Sequence, residues 1–523
     1  MYPSVKKNNL SQGFEQYFLV ASLFFGLFVF GRIFSKKYFF DSSFLTADSI
    51  ILRLISTAWE YSPLVTLASL IILTTTTAYL ALTAKWSDIA SQPLRLFLLI
   101  VIAIVVWRNS TYEYNYIYDS AYHFDRLAII LLGLLCIWRP VFVLYVSLVT
   151  FIIQNQFLMP GVDSYSTAQV SMPIKIIFAF SMYFLYSHFI SRKPEQLLIW
   201  TIAIIILAHY WVPAYQKYTI DWFKHGQIHN MMAASYAGGW LGFVSNSGMS
   251  SFIATLSKLN PLLMIITLIF ETAVIIALLN RKLLIFLLFV AIVFHILVFV
   301  QSGICFWQWA LIDAAFIHLL LRNKQSLPDN KILLLLSFVL IGSSHLWSGA
   351  ARLGWHDVPV SYNYFVDVTS ESGEKIILPP SYFAPYEYSF SLGHLRHLSN
   401  ESLPPISWGA THDLEFASSL SNAKTKQDVM SLLLERSVPV FDSSNAEKTD
   451  AFLTNYLQTK QLRSKTPFWF DYFSAPLYIY TGSSNRHPVD ITIKRIEVRQ
   501  RVSWFNGTEL TILQDNVIRK IDI

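Results

Sequence analysis

Residues 196–214 read QLLIWTIAIIILAHYWVPA, and residues 215–222 continue as YQKYTIDW. The first run is close to the ~20 apolar residues that a bilayer-crossing helix requires. The second crowds Lys217, Asp221 and Trp222 together just where that helix would leave the lipid. Comparable apolar runs lie at about 14–34, 63–83, 94–107, 125–138, 140–157, 174–191, 261–280, 283–302, 305–321 and 332–348, with 196–213 among them. Arg139-Pro140 interrupts 125–157, which reads as two helices or as one kinked helix, because proline removes a helix bond and arginine resists burial in lipid. The pattern predicts a polytopic α-helical membrane bundle of about 9–11 helices.

Composition agrees. Of 523 residues, 54% are hydrophobic and only 14% charged, against ~25% charged in an average soluble domain. The charge is uneven: residues 1–354 carry a net +9 and residues 355–523 a net −3. That shift predicts a transmembrane domain over 1–350 followed by a soluble domain over 351–523. The basic excess belongs to the membrane part, where it sets topology; the lipid bilayer is the expected partner, and a nucleic-acid surface is not expected. Arg95, Arg139, Arg192, Lys193, Arg281, Lys282, Arg322, Lys324 and Lys331 fall in connections that would share one side, cytoplasmic by the positive-inside rule, with Lys36 and Lys37 opposed. The segments 108–124 and 214–260 and the C-terminal domain then lie outside, on the periplasmic or lumenal face. Lys6 and Lys7 precede the first apolar run, and no small-residue cleavage site ends it, so it reads as a retained helix. The two cysteines, Cys136 and Cys305, sit in apolar runs and read as packing residues.

The segment HNMMAASYAGGWLGFVSNSGMSSF (229–252) is glycine-rich, aromatic and uncharged. It reads as interfacial or re-entrant structure packed against the helices. In the C-terminal domain, VPVSYNYFVDVT (358–369) alternates as a strand does, 424–436 and 449–463 look helical, and VDITIKRIEVRQRVSWFNGTELTILQ (489–514) alternates around Asn506-Gly507, a hairpin signal. A small β-rich α+β extracytoplasmic domain is predicted.

Ionisable groups at bilayer depth are functional candidates by default. Lys217 can be a general base, since desolvation disfavours the charged amine, or a snorkelling anchor paired with Asp221. Glu271 and His295 lie in mid-helix, Asp313 lies deep and calls for an interior partner, and Trp307, Gln308 and Trp309 sit near a boundary as belt anchors. In YHFDR (122–126), His123 and Arg126 share a helix face, and Asp125 can cap the helix start. His123, His209, His225 and His229 form no recognisable metal motif, and no metal is expected. No phosphate-binding loop, dinucleotide fingerprint or nucleophile elbow is present.

Three stretches together resemble the HTTM superfamily (horizontally transferred transmembrane domain), which includes the vitamin K-dependent γ-glutamyl carboxylases. YHFDRLAIILLGLLCIWRP (122–140) resembles the family's polar motif entering an apolar helix. YQKYTIDWF (215–223) resembles its lysine stretch ending in Asp-Trp, and residues 270–313 resemble its glutamate helix, histidine helix and aromatic segment in that order. Gln216 and Thr219 stand where the carboxylases carry a second lysine and an acidic residue. The resemblance implies a carboxylase-like lyase at the outer membrane face, with Lys217 and His123 catalytic. Asp221, Trp222, Arg126, Glu271, His295 and Trp307 would line the pocket. It also implies a reduced, vitamin K-like quinone as cofactor and a peptide or protein substrate held by the C-terminal domain. The contrasting expectation is a non-enzymatic membrane assembly or export factor whose C-terminal domain binds a partner protein.

Overall fold

The computed structural model describes residues 20–29, 49–112, 123–154, 168–189, 195–323, 327, 330–348, 354–465, 469–481 and 492–523. Tyr122, Lys36, Lys37, Arg192, Lys193 and Lys324, and the ends of several expected helices, lie outside the described residues. Among the described residues, five helices are long and apolar enough to cross a bilayer: Pro63–Thr83, Gln92–Thr111, Glu195–Thr219, Asn246–Leu279 and Arg281–Ser302. The Glu195–Thr219 helix is the hub of the bundle. Within its apolar window 94% of residues are buried, against 17% for Pro63–Thr83, which turns its side chains outward. A helix apolar on every side has no solvent face to offer, so it settles where other helices surround it.

The region around Arg139-Pro140 takes one of its two expected forms, two helices, His123–Trp138 and Phe142–Ile153. Two local features depart from the sequence reading. Ile50–Tyr61 is a helix where none was expected, and it is tied to Asp125: the carboxylate accepts from Ser49 Oγ (2.5 Å) and from the Ile50 amide (2.8 Å). Asp125 therefore caps a neighbouring helix instead of its own, satisfying orphan N–H groups at that terminus. Second, most of 214–260 is regular helix. Ile228–Ala237 is one helix, and Asn246–Ala273 begins well before the expected 261, with the Ser245 hydroxyl capping Gly248 N at 3.2 Å. Met249 and Ile253 are buried against Met232 and Phe505, so packing overrides the loop-like composition of VSNSGMSS.

The C-terminal domain holds an antiparallel sheet of order β2-β1-β4-β5, with β3 also paired to β1. The strands are β1 His356–Ser370, β2 Lys375–Leu378, β3 Trp408–Thr411, β4 Ile493–Phe505 and β5 Leu510–Asp522. Asn506-Gly507 turns β4 into β5, with Gly507 at φ 94° and Asn506 Oδ1 accepting from the Thr508 and Glu509 amides at 2.9 Å each. Helices Leu414–Asn422, Lys426–Glu435 and Ser443–Lys465 cover the sheet. The central strand β1 alternates: Val358, Val360, Tyr362, Tyr364, Val366 and Val368 enter this domain's core. The opposite face packs on the Ile228–Ala237 helix, where Asn363 Nδ2 donates to Ala234 O at 3.3 Å. A Cβ on Gly409 would fall 2.5 Å from Ala234 Cβ, so glycine there permits the close approach.

A second junction uses residues 469–481. Trp107 Nε1 donates to Phe473 O (2.7 Å), Ala475 N to Thr111 Oγ1 (3.0 Å) and Tyr112 OH to Pro476 O (2.7 Å). Cys305 N bonds Tyr478 O at 2.7 Å, and Tyr480 N bonds Gly303 O at 2.9 Å. These contacts sit at the C-ends of the 92–111 and 281–302 helices and the N-end of Trp307–Arg322. Arg95, Arg281, Lys282 and Arg322 occupy the other ends of the same helices. These four cations therefore sit at the end of the bundle away from the sheet domain.

Candidate functional site

The Glu195–Thr219 helix runs five residues past the apolar stretch and carries Lys217 in its last turn, with the residue 8% exposed. The Asn246–Ala273 helix brings Glu271 beside it. Lys217 Nζ donates to both carboxylate oxygens, at 2.5 and 2.7 Å. Asp221 is not its partner. That residue turns out at φ 52° and faces Lys224 at 3.7 Å, both largely exposed. The reason is the helix itself: at i+4 Asp221 lies beyond its end, whereas Glu271 projects from a packed neighbour. Trp222 folds back under the turn, its ring centroid 5.1 Å from Lys217 Nζ. Gly226 makes room, since a Cβ there would lie 2.7 Å from the indole.

The sheet domain completes this cluster with a residue the sequence reading did not single out. Asp357 in β1 is 3% exposed, receives Trp355 Nε1 at 3.3 Å, and also receives the Trp222 indole. Burial pushes its carboxyl up to about 7, opposed by those donors and by the Lys217 charge. Next to it, His356 is held below the usual imidazole range by burial and by the nearby His225 and His412. The ring centroids of His225 and His356 are 6.4 Å apart.

Two turns before Lys217 on the same helix lies a second polar group. The Tyr210 hydroxyl donates to Asp313 Oδ2 at 2.5 Å and meets His295 Nε2 at 2.9 Å. A hydroxyl has one proton, so Nε2 is the donor in the second bond. His295 Nδ1 and Asp313 Oδ1 are then two buried acceptors without a partner among the described residues. The rings of Phe270, Phe306 and Trp309 surround them, with Phe270 5.6 Å from Tyr210 and Phe306 5.0 Å from His295. Phe270 and Glu271 are neighbours, so one helix pair aligns both groups.

Arg126, His123 and Trp307 belong to a different assembly, between the 92–111 and 123–138 helices and the 469–481 segment. Arg126 is fully buried, donates to Ser110 O (2.6 Å) and Tyr112 O (2.7 Å), and lies 3.8 Å from the Phe470 ring centroid. His123 also faces Phe470, at 6.0 Å, and Trp307 packs edge-on against Trp107 at 5.3 Å. A cleft near this junction is lined by Thr111, Tyr112, Ser381, Lys460, Ser474 and Leu477. The pocket expected from sequence is thus divided between two places. The histidines weighed as a cluster are dispersed as well. His209 bonds Ser171 (3.0 Å) and the Ile205 carbonyl (2.7 Å) in the bundle, whereas His225 lies at the sheet junction.

Lys175 was also missed. It is 2% exposed in the Ala168–Phe189 helix, and its Nζ has no hydrogen-bond partner among the described residues. A buried amine without a partner is destabilising. Lys175→Met is expected to stabilise the fold by about 1–3 kcal/mol, read as a higher melting temperature of the detergent-solubilised protein; a lower one contradicts the assignment.

Comparison of the chain with protein-family models, curated proteins and solved structures finds no match.

Proposed function

We propose that the protein is a multi-pass membrane enzyme whose acid–base site, built on Lys217 and Glu271, opens toward an extracytoplasmic C-terminal domain. One observation carries this reading. Two ionisable residues 54 positions apart, each singled out by the HTTM resemblance, are in direct contact inside an apolar bundle. A buried ion pair is weak evidence for stability, because well-packed apolar residues would serve as well. Held by Glu271, Lys217 is an ammonium in its resting form. Lys217 acts as a base once that proton has been given up.

The resemblance implies a reduced quinone, and the residues around Tyr210 fit one. The unpartnered acceptors His295 Nδ1 and Asp313 Oδ1 match hydroxyl donors, and Phe270, Phe306 and Trp309 match a flat ring. When bound, such a group supplies, on oxidation by oxygen, a base strong enough to remove a carbon-bound proton. Tyr210, His295 and Asp313 would hold its hydroxyls, and the apolar surroundings would exclude water. The cleft with Lys460 would help to hold a peptide.

The test uses full-length protein in nanodiscs with reduced vitamin K, oxygen, bicarbonate and a glutamate-containing peptide. Epoxidised quinone and carboxylated peptide are read by mass spectrometry. Lys217→Ala is expected to lower both by at least ~10²-fold, with the variant still folded and inserted. Full turnover in that variant overturns the reading. The close seating of the sheet domain on the Ile228–Ala237 helix favours the second reading, a non-enzymatic assembly or export factor. In that case Lys217→Ala lowers stability but leaves the function of the folded protein intact, and loss of the C-terminal domain abolishes function.

A further inference from the structure

The lysine site contains more negative groups than positive ones. Lys217 brings one positive charge, and Glu271 takes both short bonds to it. Asp357 brings a second carboxyl from the other domain, buried to 3% and bracketed by the Trp222 and Trp355 indoles. Two carboxyls and one ammonium cannot all be charged in a desolvated site without leaving one negative charge uncompensated. The lowest-cost arrangement is an intact Lys217–Glu271 pair with a proton on the remaining carboxyl. Trp222 touches both halves, since its ring lies under Lys217 and its N–H reaches Asp357.

We propose that Asp357 is the third ionisable member of the Lys217–Glu271 site and the one that takes up and releases its proton, so that the bundle's acid–base site is completed by the sheet domain. The inference rests on the acid–base reading of Lys217. The groups facing Asp357 are few. Lys217 acts on it from the bundle, with Glu271 behind on that ammonium. His225, from the turn after Trp222, faces His356, and the exposed Asp221–Lys224 pair lies on the same turn. His356 is its neighbour in β1, and His412 and Asp413 follow β3. His412 Nδ1 is held at the Gly354 carbonyl, 2.7 Å away. Burial places the Asp357 carboxyl in the range where it exchanges a proton near neutral pH.

The sign of its effect on stability follows. A carboxyl raised in the folded state to about 7, above ~3.9 unfolded, gives stability that is complete below about pH 4 and is lost as pH rises through 7. Asp357→Asn should flatten that slope.

The direct experiment is an infrared titration of the full-length protein in nanodiscs, between acid and mildly alkaline pH. A protonated-carboxyl band should disappear as pH rises through neutrality, and Asp357→Asn should delete it. Its midpoint should move up by about one to three pH units in Lys217→Ala, which removes the favourable charge. It should move down by a similar amount in Glu271→Gln, which leaves Lys217 needing Asp357 as its counter-ion. Trp355→Phe, a milder change, should raise it by removing one donor to the ionised form. A titrating band that Asp357→Asn does not remove, or a midpoint that ignores both Lys217→Ala and Glu271→Gln, overturns the inference. These readouts are independent of turnover. A coupled midpoint alongside full activity in Lys217→Ala rejects the enzyme reading and supports the assignment of Asp357.

Discussion

Glu271→Ala is expected to destabilise the protein by about 3–5 kcal/mol, the usual cost of removing one partner from a buried ion pair. The substitution leaves an ammonium in the last turn of a helix that is buried nearly throughout, where water cannot solvate it. Asp357, which already feels the Lys217 charge, should recover part of that loss, so the Glu271→Ala/Asp357→Asn double variant should fare worse than either alone. The informative companion is Lys217→Met/Glu271→Met. With both charges gone and apolar side chains of similar volume in their place, stability should return to within about 1–2 kcal/mol of the parent or exceed it. Thermal unfolding of the parent, both single variants and both double variants in one detergent decides the matter. Equal losses in the single and double replacements would show that packing volume, not charge, holds these helices together.

Arg126→Ala should be nearly as damaging, for a different reason. The guanidinium forks onto the Ser110 and Tyr112 carbonyls at the end of the 92–111 helix, where backbone acceptors lack helical partners. It also supports the Phe470 ring, which belongs to the segment that stitches the sheet domain to the bundle. Bonds to a charged group contribute roughly 1.5–3 kcal/mol each, so a loss of about 3 kcal/mol or more is expected. The loss should also be local. Amide exchange should accelerate in Ala475, Cys305 and Tyr480, whose N–H groups form that seam, while β1 and β4 stay protected. Arg126→Lys should recover only part, because an ammonium cannot reproduce the planar fork. Unchanged exchange across the seam in Arg126→Ala would remove its assigned role.

Much of this architecture was legible in the chain. Apolar runs near bilayer length marked the helices, because lipid and helix geometry together fix their length. Strict alternation in 358–369 and an Asn-Gly pair marked the central strand and the terminal hairpin, because side chains on a strand alternate faces. What failed was local composition. VSNSGMSS belongs to a stretch read as interfacial or re-entrant but opens a long helix, since Ser245 caps it and Met249 and Ile253 find buried neighbours. Ile50–Tyr61 went unnoticed because its start is stabilised by Asp125, a residue far along the chain.

The site divides in the same way. Sequence alone made Lys217, Glu271, His295 and Asp313 conspicuous, because an ionisable side chain in an apolar run needs a reason to be there. It could not choose the partners. Lys217 had Asp221 close by in sequence, and Glu271 won because helix geometry sends i+4 past the helix end while packing brings the second helix alongside. Asp357 carried no signal, since an aspartate in a strand is ordinary until the sheet is packed against the helical bundle. Residue type and periodicity thus determine which segments are buried and which charges are costly. Only the tertiary structure decides which of those costly charges meet, because that depends on contacts between distant parts of the chain.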